Sequence, residues 1–584
     1  MLYLALQLLQ NQFKINKVND EKVGKPMVKK VLSESTFPEV GKEEIISKKN
    51  EIAKAKMLRG SAWMTMGSIF SRILGALYII PWYTWFGREN LAANNLYTQG
   101  YTVYSVFLMI SIAGIPSAVS KQISNYNGQN EYALGQRLYK KLILIMLGLG
   151  IVSAIIMWFI APFLSQNDKN VIPVYRSLAI ALTIIPTMSL TRGFFQGYQD
   201  MFPSAMSQLI EQIARIIYML GTTFIIMKIL KGSYVSGVVQ STFAAFIGAI
   251  AGLSFLAWFY FRKKDEFALL AKQSANELII SDSQIIKNLL FEAIPFVVIS
   301  VSTTVYNLID QFTFKQIMLH FTNYGVTAIN DLYTIFAGNS NKLIMIIISL
   351  ASAMSATAIP LLAQAYSNHN KEQTALQLAD AIELFFFIML PCSLGMAAVA
   401  KPLYVVFYQY NFTGVYVLSF SAYVALPIGL FMVLASLLQG VYQNMKAIKF
   451  FLIGLAIKII LQFPLTLIFH PFGPLMATGI GMTVSSCLML RYFYYNLEVN
   501  MGKIIKRFDQ LLIFSLVVFA VSLGLIQLSD MFLNLEYRIT ALIVLFIAVG
   551  AGGLTYIYLV LKTKVADKII GSRAAILRKK LRIR

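Results

Sequence analysis

From Met57 onward, apolar residues run in unbroken blocks separated by short polar, Gly- or Pro-containing breaks; they do not alternate with polar ones. A helix needs about 20 mainly apolar residues to cross the hydrocarbon core, with every backbone polar group satisfied inside the helix. Blocks of that length stand at about 57–85, 95–117, 138–164, 174–198, 204–228, 234–261, 289–318, 328–366, 376–400, 415–441, 447–469, 474–496, 510–528 and 537–562. The pattern predicts an all-α polytopic membrane protein of about fourteen transmembrane helices. Residues 1–56 are rich in Lys and Glu, and the apolar start Met1–Leu9 is too short to span. They read as a cytoplasmic extension, with Met27 and Met57 as further candidate start sites.

The chain repeats itself. Phe195-Gln196-Gly197-Tyr198-Gln199, with Arg215 beyond it, recurs as Leu438-Gln439-Gly440-Val441-Tyr442-Gln443, with Lys458 beyond it, at an offset of 243 residues. Ser124-Asn125-Tyr126-Asn127 and Ser367-Asn368-His369-Asn370 are also 243 apart, each after an Ile-Pro pair, Ile115-Pro116 and Ile359-Pro360. Six helices separate equivalent positions, so the repeat predicts two parallel six-helix lobes around a midplane cavity, the architecture of alternating access. The expected organisation is an N-lobe at 57–265, an amphipathic cytoplasmic linker at 266–288, a C-lobe at 289–498, two appended helices at 499–563 and a basic tail at 564–584.

Composition agrees with a membrane solvent: 57% of the 584 residues are hydrophobic and 13% charged, which excludes an ordinary soluble enzyme. The net charge of +23 invites a nucleic-acid reading, but the excess sits in loops and tails. Fifteen Lys and Arg fall in the internal loops assigned inside and eight at the outward ends, which predicts both termini on the cytoplasmic side of the membrane. The basic tail is expected to meet anionic lipid. Two cysteines and three histidines without metal-ligand spacing give no redox or metal centre, and no nucleotide or hydrolase motif occurs. A non-enzymatic protein without cofactor is expected.

Chemistry is therefore sought among ionisable side chains inside spans, where each marks a cavity or a partner. Arg72 lies about 15 residues into helix 1, some 22 Å from its cytoplasmic end, with no acid one turn away. Lys342, early in helix 8, and Lys458, in helix 11, are likewise without a local acid. These three are the predicted cavity cations. Arg215 has Glu211 at i−4, the favourable order for an ion pair, and Asp310, Gln196 and Gln439 complete the secondary candidates. Asp310 is the obvious chemical partner for Lys458. Counted from the inner helix ends, however, the two differ by about 15 Å in depth, so a different partner is expected.

Ser71-Arg72-Ile73-Leu74-Gly75, the Gly193-Phe194-Phe195-Gln196-Gly197 turn followed by Ser207 to Gln212 and Arg215, and Asn341-Lys342-Leu343 ahead of Ala358-Ile359-Pro360 resemble the MurJ-type lipid II flippases. The likeness is to the YtgP and SpoVB-like branch of Gram-positive bacteria, within the multidrug/oligosaccharidyl-lipid/polysaccharide exporter superfamily. It implies movement of undecaprenyl-pyrophosphate-linked disaccharide-pentapeptide between leaflets, with Arg72 and Lys342 on the pyrophosphate, and association with the cell-wall synthesis machinery. Tyr78-Ile79 stands where the family carries a second Arg-Asp. Sodium-binding members place acids in helices 7 and 11; Asp310 fits one, but Lys458 replaces the other, which implies sodium-independent transport. A flippase for another polysaccharide or teichoic-acid precursor, a multidrug antiporter of the same fold and a membrane glycosyltransferase remain alternatives. Cavity cations argue against a carrier of cationic drugs, and short outward loops against a transferase.

Overall fold

A computed structural model describes residues 71, 74–75, 77–112, 115–275, 282–351, 362, 366, 371–570 and 578–581. The extension 1–56, most of predicted helix 1 including Arg72, and the Ile359-Pro360 and Ser367–Asn370 half of the repeat lie outside them. The described residues are almost wholly helical, without a strand.

The N-lobe comprises α1 (Ile79–Trp85), α2 (Asn90–Ile112), α3 (Ile115–Gly128), α4 (Tyr132–Leu164), α5 (Ile172–Leu182), α6 (Ile185–Gly197), α7 (Phe202–Phe224) and α8 (Tyr234–Arg262). After α9 (Lys264–Lys272), the C-lobe holds α10 (Asp282–Phe321), α11 (Val326–Ala351), α12 (Lys371–Ala398), α13 (Ala400–Tyr408), α14 (Phe412–Gly440), α15 (Asn444–Phe469) and α16 (Phe472–Leu497). The appended helices are α17 (Met501–Phe532) and α18 (Arg538–Lys562), followed by the short α19 (Val565–Ile570). Local chemistry marks the boundaries. Proline occupies the first turn of α5, α6 and α7, where its missing N–H is no loss. Ser233, Asn411 and Asn500 accept from backbone N–H groups at the starts of α8, α14 and α17.

Eleven helices among the described residues are long and apolar enough to cross a membrane, and they correspond to predicted spans 3–6 and 8–14. Predicted span 2 is α2, 23 residues long and outside that set. Its first half buries Asn94, Asn95, Thr98 and Gln99, so its polarity faces protein. Phe159, Phe163, Met531 and Ile539 show the opposite pattern: each is more than 70% exposed, an apolar surface made for acyl chains. The linker's α9 is tied down by Phe267, which is buried edge-on against Phe194 and Tyr198.

The repeat carries into backbone geometry at the ends of α6 and α14. Asp200 N–H bonds to Phe195 C=O at 3.0 Å and Gln443 N–H to Leu438 C=O at 2.8 Å, closing the same turn at the same 243-residue offset. Gln199 and Tyr442, again equivalent, take left-handed φ values of 59° and 57°.

Helices α15 and α16 pack almost backbone to backbone. A Cβ added at Gly454 would stand 2.0 Å from Ser485 Oγ and 2.3 Å from the Gly481 carbonyl. Small residues are what allow such approach in a bilayer, where dispersion and hydrogen bonds hold helices together. Gly454→Leu is therefore expected to push α15 off α16 and to lower the detergent-solubilised melting temperature, by an overpacking penalty of about 1–3 kcal/mol or more. Thermal unfolding of the purified variant measures it.

Candidate substrate site

A cavity of about 670 Å³ opens between the lobes, walled by α1, α2, α10, α11, α14 and α16. Its polar wall is built of hydroxyls and amides: Thr98, Thr102 and Ser105 from α2, Thr303 and Asn307 from α10, and Thr478 from α16. Among the described residues of this wall Lys342 is the sole charged side chain. It sits at the start of the last stretch of α11, immediately after a wider π-type turn at Thr334–Ser340. That turn presses against α2, since a Cβ on Gly338 would come within 2.7 Å of Thr98 Oγ1.

Lys342 Nζ lies 4.3 Å from the centre of the Tyr97 ring and donates to Asn94 Oδ1 at 2.6 Å. Asn94 Nδ2 donates in turn to Asn339 Oδ1 at 2.5 Å, and Asn339 Nδ2 to the Tyr404 hydroxyl at 2.7 Å. An ammonium has only donors, so it fixes the orientation of the Asn94 amide, which orients Asn339. The relay joins the N-lobe to the C-lobe at one end of the cavity. The same end carries Asn95 Nδ2 to the Asn330 carbonyl at 3.0 Å and Gln311 Nε2 to the Tyr175 hydroxyl at 3.1 Å.

Lys458 is not in the cavity wall. Its side chain is fully buried, and Nζ pairs with Asp310 Oδ1 at 2.7 Å while donating to Thr478 Oγ1 at 2.6 Å. Gln462 Nε2 donates to the same carboxylate oxygen at 3.0 Å. The expectation of another partner is thus corrected, and the reason is geometric. Depth was counted from the inner helix ends, but α10 is 40 residues long and starts well before α15 does. Counted from their C-terminal ends, Phe321 and Phe469, Asp310 and Lys458 are both eleven residues in, and so level. Thr478 and Tyr306 separate the pair from the cavity.

The Glu211–Arg215 pair expected from spacing is present at 2.5 Å, but Glu211 is shared: its other oxygen meets Arg192 Nη2 at 2.9 Å. Gln196 and Gln439 line neither this cavity nor any polar cluster; they end α6 and α14 at the equivalent turns. Arg72 lies outside the described residues.

The polysaccharide biosynthesis protein family model matches residues 57–366. Lipid II flippase MurJ of Bacillus subtilis (strain 168) is 31% identical over 539 residues, covering 89% of this chain and 97% of that one. The chain belongs to the MurJ family. Among solved structures, a lipid II flippase MurJ in an inward closed conformation superposes with a TM-score of 0.60 at 16% identity, covering 87% of this chain and 99% of that one. An inward-facing multidrug MATE transporter of the MOP superfamily gives 0.54 at 16%, covering 73% and 96%. The shared fold and the eleven apolar helices make this a multi-pass membrane protein, and its family is one of flippases, not of enzymes.

Within this MurJ-family fold, reading the sequence for ionisable groups passed over Arg192 and the asparagine relay. Arg192 stands in an apolar run with its nearest downstream acid at Asp200, eight residues on, so the rule that singled out Arg72 would have found it. Asn339 interrupts predicted span 8 in the same way, whereas Asn94 and Asn95 stand at the edge of predicted span 2 and fall inside a helix only in the structure. For the buried pair, Lys458→Met is expected to leave Asp310 uncompensated and to lose about 3–5 kcal/mol, whereas Lys458→Met combined with Asp310→Leu recovers most of it. Melting temperatures of the two singles and the double form the test; additive losses would show the charges do not depend on each other.

Proposed function

We propose that the protein carries lipid II, an undecaprenyl-pyrophosphate-linked glycan, from the inner to the outer leaflet by alternating access between its lobes. The observation that carries this is the cavity wall: hydroxyls and amides suited to sugar, one ammonium suited to phosphate, and no carboxylate among its described residues. A cavity for cationic drugs requires the opposite sign of charge. Lys342 supplies a point charge to the diphosphate, and Arg72, in predicted helix 1, supplies a planar fork to the same group.

With both termini cytoplasmic, the Asn94–Asn339–Tyr404 relay lies toward the outer side, and Lys342 belongs to both substrate site and seal. A phosphate oxygen competes with Asn94 for the Lys342 ammonium, which links headgroup binding to loosening of the outer contact. Moving a dianion outward is favoured by an inside-negative potential, by about 2.3 kcal/mol per charge per 100 mV, so no nucleotide is needed. The apolar faces of α17 and α18 hold the polyprenyl chain, and the basic tail rests on anionic lipid. Lys458 stands as a permanent internal cation beside Asp310 and makes a dissociable one unnecessary.

Lys342→Ala and Arg72→Ala are each expected to insert normally but fail to support growth, with substrate binding weakened about 10- to 150-fold by loss of a charged hydrogen bond of about 1.5–3 kcal/mol. Lys342→Arg retains growth. Conditional depletion should accumulate lipid II on the inner leaflet; accumulation of a different lipid-linked precursor overturns the assignment. In vesicles at fixed potential, replacing sodium by potassium should leave flipping unchanged, and loss of activity would return Asp310 to the role of a metal ligand.

A further inference from the structure

Beside the central cavity lies a second chamber of about 350 Å³, enclosed by α2, α6 and α7 within the N-lobe. The two spaces share Tyr101 and Ser105 in their walls. An aromatic ladder on one face of α2 runs between them. Tyr97, under the Lys342 ammonium, stacks on Tyr101 at 4.4 Å, and Tyr101 meets Tyr104 edge-on at 5.6 Å. Tyr104 lines the second chamber.

Its polar wall is a stripe on α7, Gln208, Glu211, Gln212 and Arg215, at spacings that share one helix face, with Arg192 opposite on α6. Among the described residues two guanidinium groups stand against one carboxylate, so this wall carries a net positive charge. Arg192 is locked by Ser207 Oγ, which its Nε and Nη2 meet at 3.1 and 2.9 Å, and by Glu211. Arg215 bonds Glu211 only through Nη2, and its buried Nε–H has no partner among the described residues. The Tyr101 hydroxyl, at the junction of the two spaces, is also buried, with the neighbouring Tyr97 hydroxyl as its polar contact among the described residues. An unpaired buried donor carries the full desolvation penalty of its group, and the Arg215 Nε–H in a cationic chamber describes a place for an oxyanion.

We propose that this chamber is a second oxyanion site, which takes a carboxylate of the substrate's peptide stem while Lys342 holds the diphosphate. The proposal rests on the headgroup reading given under Proposed function. Two anionic groups on one headgroup, held at two ends of a tyrosine ladder, would orient the glycan across the lobes and distinguish a stem-bearing substrate from a bare lipid diphosphate.

The test uses full-length protein in nanodiscs and three ligands: lipid II with its pentapeptide, the same lipid diphosphate-disaccharide without peptide, and undecaprenyl diphosphate. Wild type is expected to bind the stem-bearing ligand at least about tenfold more tightly than the peptide-free one, the size of one charged hydrogen bond. Arg215→Gln, which leaves the Arg192–Glu211 pair in place, should bring that ratio to about one without changing affinity for undecaprenyl diphosphate. Glu211→Gln removes the competing carboxylate and should raise the ratio, a direction that loss of a structural contact does not produce. An equal fall for all three ligands in Arg215→Gln, or an unchanged ratio, overturns the proposal while leaving the flippase reading intact. A ratio that collapses in phosphatidylglycerol-rich but not phosphatidylcholine nanodiscs assigns the chamber to lipid phosphate and also overturns it. Wild type binding none of the three ligands overturns the headgroup reading and the proposal together.

Discussion

A polar group inside hydrocarbon must find a protein partner or a wet cavity, and most of this structure follows from that constraint. It explains why helices whose surfaces carry Phe159 and Phe163 turn those residues outward while α2, with Asn94, Asn95, Thr98 and Gln99, is held inside. It also explains where the lobes meet. The amides and hydroxyls that no single helix can satisfy are satisfied across the interface, by Asn94 with Asn339 and by Gln311 with Tyr175. Each such bond is worth little alone, so the interface can open.

Three treatments of buried charge coexist. Lys458 and Asp310 neutralise each other behind the cavity wall, with Thr478 and Gln462 taking up remaining valences. Arg192, Glu211 and Arg215 leave a surplus of one positive charge in the N-lobe chamber. Lys342 meets no carboxylate among the described residues and rests on an aromatic face and an amide oxygen. The progression from paired, to partly paired, to open charge follows access to a cavity. A fully buried ammonium demands a counter-ion, whereas one facing a cavity can wait for an anion to arrive.

The asymmetry between the repeats follows the same logic. Arg215 and Lys458 occupy equivalent positions, and both meet a carboxylate, but the acids come from different places. Arg215 finds Glu211 one turn back on its own helix, so the pair survives without help from the fold. Lys458 finds Asp310 on another helix, 148 residues away, and therefore depends on how α10 and α15 are set against each other.

Periodicity and composition sufficed for the all-helical membrane class, for most of the spans and for the Glu211–Arg215 pair, because each depends on residues near one another in sequence. The 243-residue repeat was legible for the same reason, and equivalent turns at Gln199 and Tyr442 bear it out in backbone conformation. What sequence could not decide was relative height and facing. Lys342, Lys458 and Arg192 are all intramembrane cations by count, yet one opens into the central cavity, one is sealed and one lines a side chamber. That difference arises because α10 is set with Asp310 level with Lys458, and because Gly338 lets α11 approach α2 closely enough for Asn94 to reach Lys342. Helix register and close packing are many-residue properties, so only the tertiary structure decided which charges face a cavity.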